Sequence, residues 1–144
     1  MFKRILVPTD GSQITLQAVN TAVELAVALG AHLNVLSVKE PFPYSAISEM
    51  QPAPPQEFFD AQDRIATQRV QAVVEQCKKV GVPCDAFTVE AEHPWEAIID
   101  HAARTQSEVI VMASHGRRGV SALLLGSETQ KVLTHSKVPV LVVR

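Results

Sequence analysis

The chain is poor in cysteine. Its two cysteines, Cys77 and Cys84, have no paired Cys or His spacing beside them. That argues against a zinc module or a disulfide framework, and reduced, partly buried thiols are the expected state. A large charge of either sign is also missing. Thirteen basic residues face fifteen acidic ones, and the formal net charge of −2 offers nucleic acid no basic field. No apolar run approaches the ~20 residues that span a bilayer. The start, Met1-Phe2-Lys3-Arg4, leads straight into a strand-like segment without an apolar h-region, so a cytoplasmic location is the expectation. Internal repeats, linkers and low-complexity tracts are absent. The familiar phosphate loops are missing too: no Lys follows the last glycine, as a Walker A loop requires, and there is no G-x-G-x-x-G.

What is present is an ordinary globular balance, 47 % apolar and 19 % charged, over 144 residues. That is one domain with room for a proper core. Ile5, Leu6 and Val7 are apolar without alternation, as in a strand covered on both faces. Thr9-Asp10-Gly11-Ser12 is the turn that follows Lys3 to Pro8. A helical stripe then runs through Val19, Ala22, Val23, Leu25, Ala26 and Leu29, with Gly30 as its C-cap. His32 to Val38 reads as the second strand. Five prolines within residues 39–55 disfavour helix and central strand there. A loop of that length is either a lid over the strand ends or a variable insertion. Gln56 to Val80 reads as a long helix, with Ile65, Ala66, Arg69, Val73, Cys77 and Val80 at helical spacing, ended by Gly81 and Pro83. Cys84 to Glu90, Glu108 to Met112 and Val138 to Val143 read as strands. His93 to Arg104 and Ser127 to His135 read as helices, with Pro94 in a first turn. Strands alternating with helices predict a parallel, doubly wound α/β sheet, whose ligands bind beyond the carboxyl ends of its strands.

The segment from Ile110 to Gln130, IVMASHGRRGVSALLLGSETQ, carries the chemistry. A buried strand breaks into a small turn at Ala113-Ser114-His115-Gly116. Arg117 and Arg118 follow, and Gly126-Ser127 opens a helix. Glycines at a strand exit and a helix start let backbone approach a ligand, and free N–H groups with the positive helix end suit phosphate. A plain structural reading stands beside this. Gly126 relieves a tight turn, and Ser127 with Gln130 forms a capping box.

At this point the chain resembles the universal stress protein family, from Ile5-Leu6-Val7-Pro8-Thr9-Asp10-Gly11-Ser12 through the glycine segment to Pro139-Val140-Leu141-Val142-Val143. The ATP-binding branch of that family carries Gly, two residues, Gly, nine residues, Gly, then Ser or Thr. Gly116 and Gly126-Ser127 fit the second half, and Ala113 stands where the first glycine belongs. The added methyl is harmless if φ there is negative, and obstructs if φ is positive or phosphate lies against that carbon. The resemblance implies one Rossmann-like domain over residues 1–144, with a five-stranded parallel sheet in the order 3-2-1-4-5. It implies ATP as ligand, with or without magnesium. The nucleotide site would comprise Pro8, Thr9, Asp10, Val38, Met112, Ala113, Ser114, His115, Gly116, Arg117, Gly126, Ser127, Glu128 and Thr129. Pro8 and Val38 would wall adenine, Asp10 would hold ribose or magnesium, and Gly116, Gly126 and Ser127 would cradle phosphate. The alternative for Asp10 is to cap the turn at Gly11 or the helix after it.

Three functions follow in order. The first is a nucleotide-binding regulatory or stress-response protein acting through an unknown protein partner. The second is a dimeric interaction module without nucleotide. The third is a slow ATPase or nucleotidyl transferase. The sequence lacks an H-x-G-H pair and a nucleophile–base pair, which weighs against the third. The apolar run Val138, Pro139, Val140, Leu141, Val142 and Val143, placed by the family at the sheet edge, predicts a homodimer through the last strand. No nucleic acid or membrane partner is expected.

Overall fold

The computed structural model describes residues 1–42, 55–116 and 125–144. Most of the Pro-rich stretch and the basic residues Arg117 and Arg118 lie outside them. Five strands, β1 (Arg4–Pro8), β2 (His32–Lys39), β3 (Cys84–Glu90), β4 (Val109–Ala113) and β5 (Val140–Val143), form one parallel sheet in the order β3-β2-β1-β4-β5. Four helices, α1 (Gln13–Leu29), α2 (Gln56–Val80), α3 (Pro94–Arg104) and α4 (Ser127–His135), alternate with them.

Local chemistry accounts for the helix ends. The Ser12 side chain accepts from Thr15 N and starts α1, and Gly30 ends it at φ 63. Gly81 ends α2 at φ 74. Both glycines adopt the left-handed conformation that side chains resist. Pro94 supplies the preset φ of the first turn of α3. The last strand is shorter than its apolar run. Val138 and Pro139 precede it, because the Ser136 hydroxyl bonds both Val138 N (3.1 Å) and Val138 O (2.7 Å) and turns the chain there.

Two core layers sandwich the sheet. Ile5, Val7, Leu33, Val35, Val109 and Val111 face α1 and α2, and pack with Val19, Ala22, Val70 and Val73. Leu6, Leu36, Ile110 and Met112 face α3 and α4, and pack with Ile98, Ala102 and Val132. The division follows from handedness. The chain winds outward from β1 to β3, then returns across the sheet to β4 and β5. Right-handed crossovers in opposite directions place their helices on opposite faces.

One stripe differs from the sequence expectation. In α2 the buried residues are Ala66, Val70, Val73 and Cys77, whereas Ile65 is 39 % and Val80 51 % exposed. Both patterns have helical spacing, and only the position of the sheet chooses between them. Similarly, Leu29 of α1 is exposed while Thr15 and Ala18 are buried.

Leu6 is wholly buried in the central strand. We expect Leu6→Ala to cost about 2–5 kcal/mol, as a cavity in a rigid core does. Urea denaturation would show the loss as a lower midpoint at unchanged slope.

Candidate functional site

The strand order reverses between β1 and β4, so the chain leaves these two strands in opposite directions and a crevice opens beyond their ends. On the β1 side the turn is tightly bonded. Thr9 N continues the ladder to Leu36 O (2.9 Å), and the Thr9 hydroxyl accepts from Gly11 N (3.2 Å). Asp10 Oδ1 accepts from Ser12 N (2.9 Å) and from the Thr15 hydroxyl (3.0 Å). Asp10 therefore does fill the turn-capping role. Its second oxygen is directed elsewhere: Oδ2 lies 2.8 Å from where a Cβ on Gly116 would stand. A side chain at position 116 would displace that carboxylate.

On the β4 side, Ser114 N bonds Val143 O (2.8 Å), and Ser114 O accepts from Gly126 N (2.7 Å). One backbone bond thus ties residue 126 back to residue 114. Gly126 has φ −63, an ordinary value, so it is not a glycine for reasons of conformation. A Cβ there would stand 3.0 Å from His115 Cα and 3.1 Å from His115 Cβ. Close approach of backbone to backbone demands the missing side chain. The Ser114 hydroxyl meets His115 Nδ1 at 3.2 Å.

The start of α4 corrects two expectations. Gly126, not Ser127, occupies the cap position, and Ser127 is the first helical residue. Gln130 does not close a capping box; its amide donates to Leu125 O (2.8 Å). The Gly126 N–H is already committed to Ser114 O, so the phosphate-type donors at this end are the next N–H groups of the first turn, which have no partner within the helix. Glu128 caps α3 instead, accepting from Trp95 N at 2.9 Å. The Thr129 hydroxyl, buried, donates to Ala113 O (2.9 Å) and fixes α4 to the end of β4.

Ala113 lies in β4 opposite Val143 and is 4 % exposed. Among the described residues other than glycine, only Gln106 has positive φ, so Ala113 has none of the strain that would demand glycine. Pro8 and Val38 are half-buried at the ends of β1 and β2, and Met112 is buried on the face of α3 and α4. The structure thus brings Asp10 together with Gly116, and Ser114 and His115 together with Gly126. Arg117 falls outside the described residues. One neighbour of this site escaped the sequence reading. Arg69 of α2 crosses the β1 turn, its Nε 3.2 Å from a Cβ on Gly11, whose φ is 80. Its only trace in the sequence is a cation at a position on the apolar side of α2.

The protein matches the model of the universal stress protein family over residues 1–144. The chain belongs to that family. It is 34 % identical to a universal stress protein of Thermus aquaticus over the full length of both chains. Its fold superposes on hypothetical protein MJ0577 with a TM-score of 0.84 at 26 % identity, covering 99 % of this chain and 96 % of that one. A universal stress protein solved in complex with cAMP has the same fold, with a TM-score of 0.73 at 23 % identity, covering 99 % of this chain and 97 % of that one.

This universal stress protein should be sensitive to any side chain at position 126. We expect Gly126→Ala to cost about 1–3 kcal/mol through overpacking against His115. Gly81→Ala meets nothing within 4 Å, so whatever it costs comes from its positive φ alone. Differential scanning calorimetry on both variants, with amide NMR shifts at Ser114 and His115, separates the two causes. Only the first variant should move those resonances.

Proposed function

We propose that this protein binds an adenine nucleotide, ATP or ADP, in the crevice between β1 and β4, and acts as a regulatory protein in the form of a homodimer. The observation that carries the reading is the convergence of Asp10, Gly116 and the first turn of α4 at the topological switch point. The parts fit the ligand chemically. The Asp10 carboxylate, which only a glycine at 116 could approach so closely, is the group that would hold ribose hydroxyls or a magnesium ion carried by the phosphates. The helix start offers N–H groups and a positive dipole end to phosphate. Val38, Pro8 and Met112 offer apolar walls to a base. The cAMP complex of a relative with this fold makes an adenine ring a natural occupant.

Among the described residues no group of three His, Cys, Asp or Glu side chains is placed to hold a metal ion.

Homodimerisation rests on β5. This strand pairs with β4 on one side and closes the sheet order on the other. Leu141 is 42 % exposed. Antiparallel pairing of two such edges would satisfy the outer backbone groups and cover the apolar side chains. Among the described residues, no helix is long and apolar enough to cross a membrane.

Isothermal titration with magnesium-ATP and magnesium-ADP should give saturable heat, and NAD should not compete. Asp10→Asn keeps both oxygen-side hydrogen bonds of the turn but removes the charge. A charge-assisted contact is worth about 1.5–3 kcal/mol, so the variant should bind about tenfold to a hundredfold more weakly. Absence of heat at millimolar nucleotide would instead favour an interaction module without nucleotide. For the dimer, Leu141→Lys should halve the mass seen by light scattering at micromolar concentration, with the fold unchanged by circular dichroism.

A further inference from the structure

A second concavity lies along the β3 edge of the sheet, running from the starts of β1 and β2 up to Val89, which pairs with Val38. Its volume is about 800 Å³, within the range of small-molecule sites. It opens on the face of α3 and α4, over the part of β2 and β3 that those helices do not cover. Lys3 and Arg4 line it from the start of β1, His32 and Asn34 from β2, Phe87 and Val89 from β3, and His101 and Arg104 from α3. None of Asp10, Gly116 or Gly126 contributes to it.

Two features set this cavity apart from a gap in packing. The first is charge. Among the lining residues, Lys3, Arg4 and Arg104 stand against one carboxylate, Asp85, which is already paired with His32 at 2.9 Å; outside the lining, Glu108 accepts from Lys3 N at 3.0 Å. Arg4 spends one guanidinium nitrogen on Gln106 Oε1 and keeps further donors. In a protein of formal net charge −2, these walls are cationic. The second is His101. It is 8 % exposed and packs edge-on against Phe87, the ring centroids 4.4 Å apart. Its Nε2 is buried with no hydrogen-bond partner among the described residues. Burial and the nearby Arg104 lower its pKa, which keeps the imidazole neutral at pH 7. A phenylalanine would fill the same space without stranding a polar atom, so packing alone gives no reason for histidine here.

We propose that this cavity is a second binding site, for a small organic anion that joins a carboxylate or phosphate to a flat apolar group. The flat group would lie against Phe87 and Val89. The oxyanion would sit among Arg104, Lys3 and Arg4, and accept from the His101 ring. Nε2 is out of contact with bulk water, so that last bond needs the imidazole to turn about its Cβ–Cγ axis as the ligand enters.

The probe is phenyl phosphate, titrated into the isotope-labelled full chain and followed by amide and imidazole NMR, with inorganic phosphate in a parallel series. The expected result is a saturable shift at Phe87, His101 and Arg104, with phenyl phosphate binding more tightly than phosphate. His101→Phe and Arg104→Gln should each weaken that binding at least tenfold. His101→Phe should melt at or above the parent temperature, because it removes a stranded polar atom. Arg104 is exposed, so its variant tests the site without disturbing the core. The proposal is overturned if phenyl phosphate produces no saturable shift up to about 10 mM, a ceiling near −3 kcal/mol of binding. It is equally overturned if the shifts fall only at Asp10, Gly116 and Gly126, or if both variants bind as the parent does.

Discussion

The hydrogen bond from Gly126 N to Ser114 O, 2.7 Å long, holds the end of β4 and the start of α4 together. It forms only because two stretches of backbone come within van der Waals contact, His115 Cα standing 3.0 Å from the place of a Gly126 Cβ. With these two ends held together, Thr129 can reach Ala113 O, and Glu128 can reach back to cap α3 at Trp95. Gly116 is then delivered to the Asp10 carboxylate. One missing methyl group thus connects four elements, β1, β4, α3 and α4, and the geometry of the crevice depends on it. A glycine chosen for close approach differs physically from Gly30 and Gly81, which are chosen for positive φ. Spacing alone does not distinguish the two kinds.

That difference shows what was legible in the sequence. The bounds of α2, Gln56–Val80, and of β3, Cys84–Glu90, can be read directly, because Gly81, Pro83 and the change from helical to strand-like pattern punctuate them. The α/β class follows from alternation of elements. Other features needed the third dimension. The apolar stripe of α2 admits two helical faces, and the sheet selects the one through Val70 rather than Ile65 and Val80. The capping box at Ser127 was consistent with local rules, and tertiary packing replaced it with a Gly126 cap and a Gln130 bond to Leu125. Arg69 lies 58 residues along the chain from the turn it crosses, so no local pattern announces it. The strand order came from family resemblance, since alternation alone does not say on which side of β1 each later strand inserts.

The two faces of the sheet are unequal. On one, α1 and the 25-residue α2 cover the core fully. On the other, α3 has 11 residues and α4 has 9, and they pack mainly against each other and the central strands. β3 is left with Phe87 and Val89 only half-buried. Here successive residues alternate between the faces, Phe87 and Val89 on the open side and the smaller Cys84 and Ala86 toward α2. Tight contact on the covered side raises the Cys84 thiol pKa to about 12 through burial, with the Cys77 thiol beside it adding to the shift. Burial likewise raises the Cys77 thiol, so both are held toward the protonated form.

Ala113 departs from the glycine pattern without backbone strain. Val109 and Val111 point into the layer of α1 and α2, and period-two alternation puts the Ala113 methyl on that same side. Its burial to 4 % agrees. What Ala113 offers toward α4 is its carbonyl, held by the Thr129 hydroxyl. A glycine here would gain no conformational freedom that the strand uses, and would forfeit some buried apolar surface. The position at which a side chain does collide with the crevice is 116, where a methyl would meet the Asp10 carboxylate at 2.8 Å. Of the two glycines that begin the nucleotide-binding pattern, the second is therefore the one that the geometry of this crevice requires.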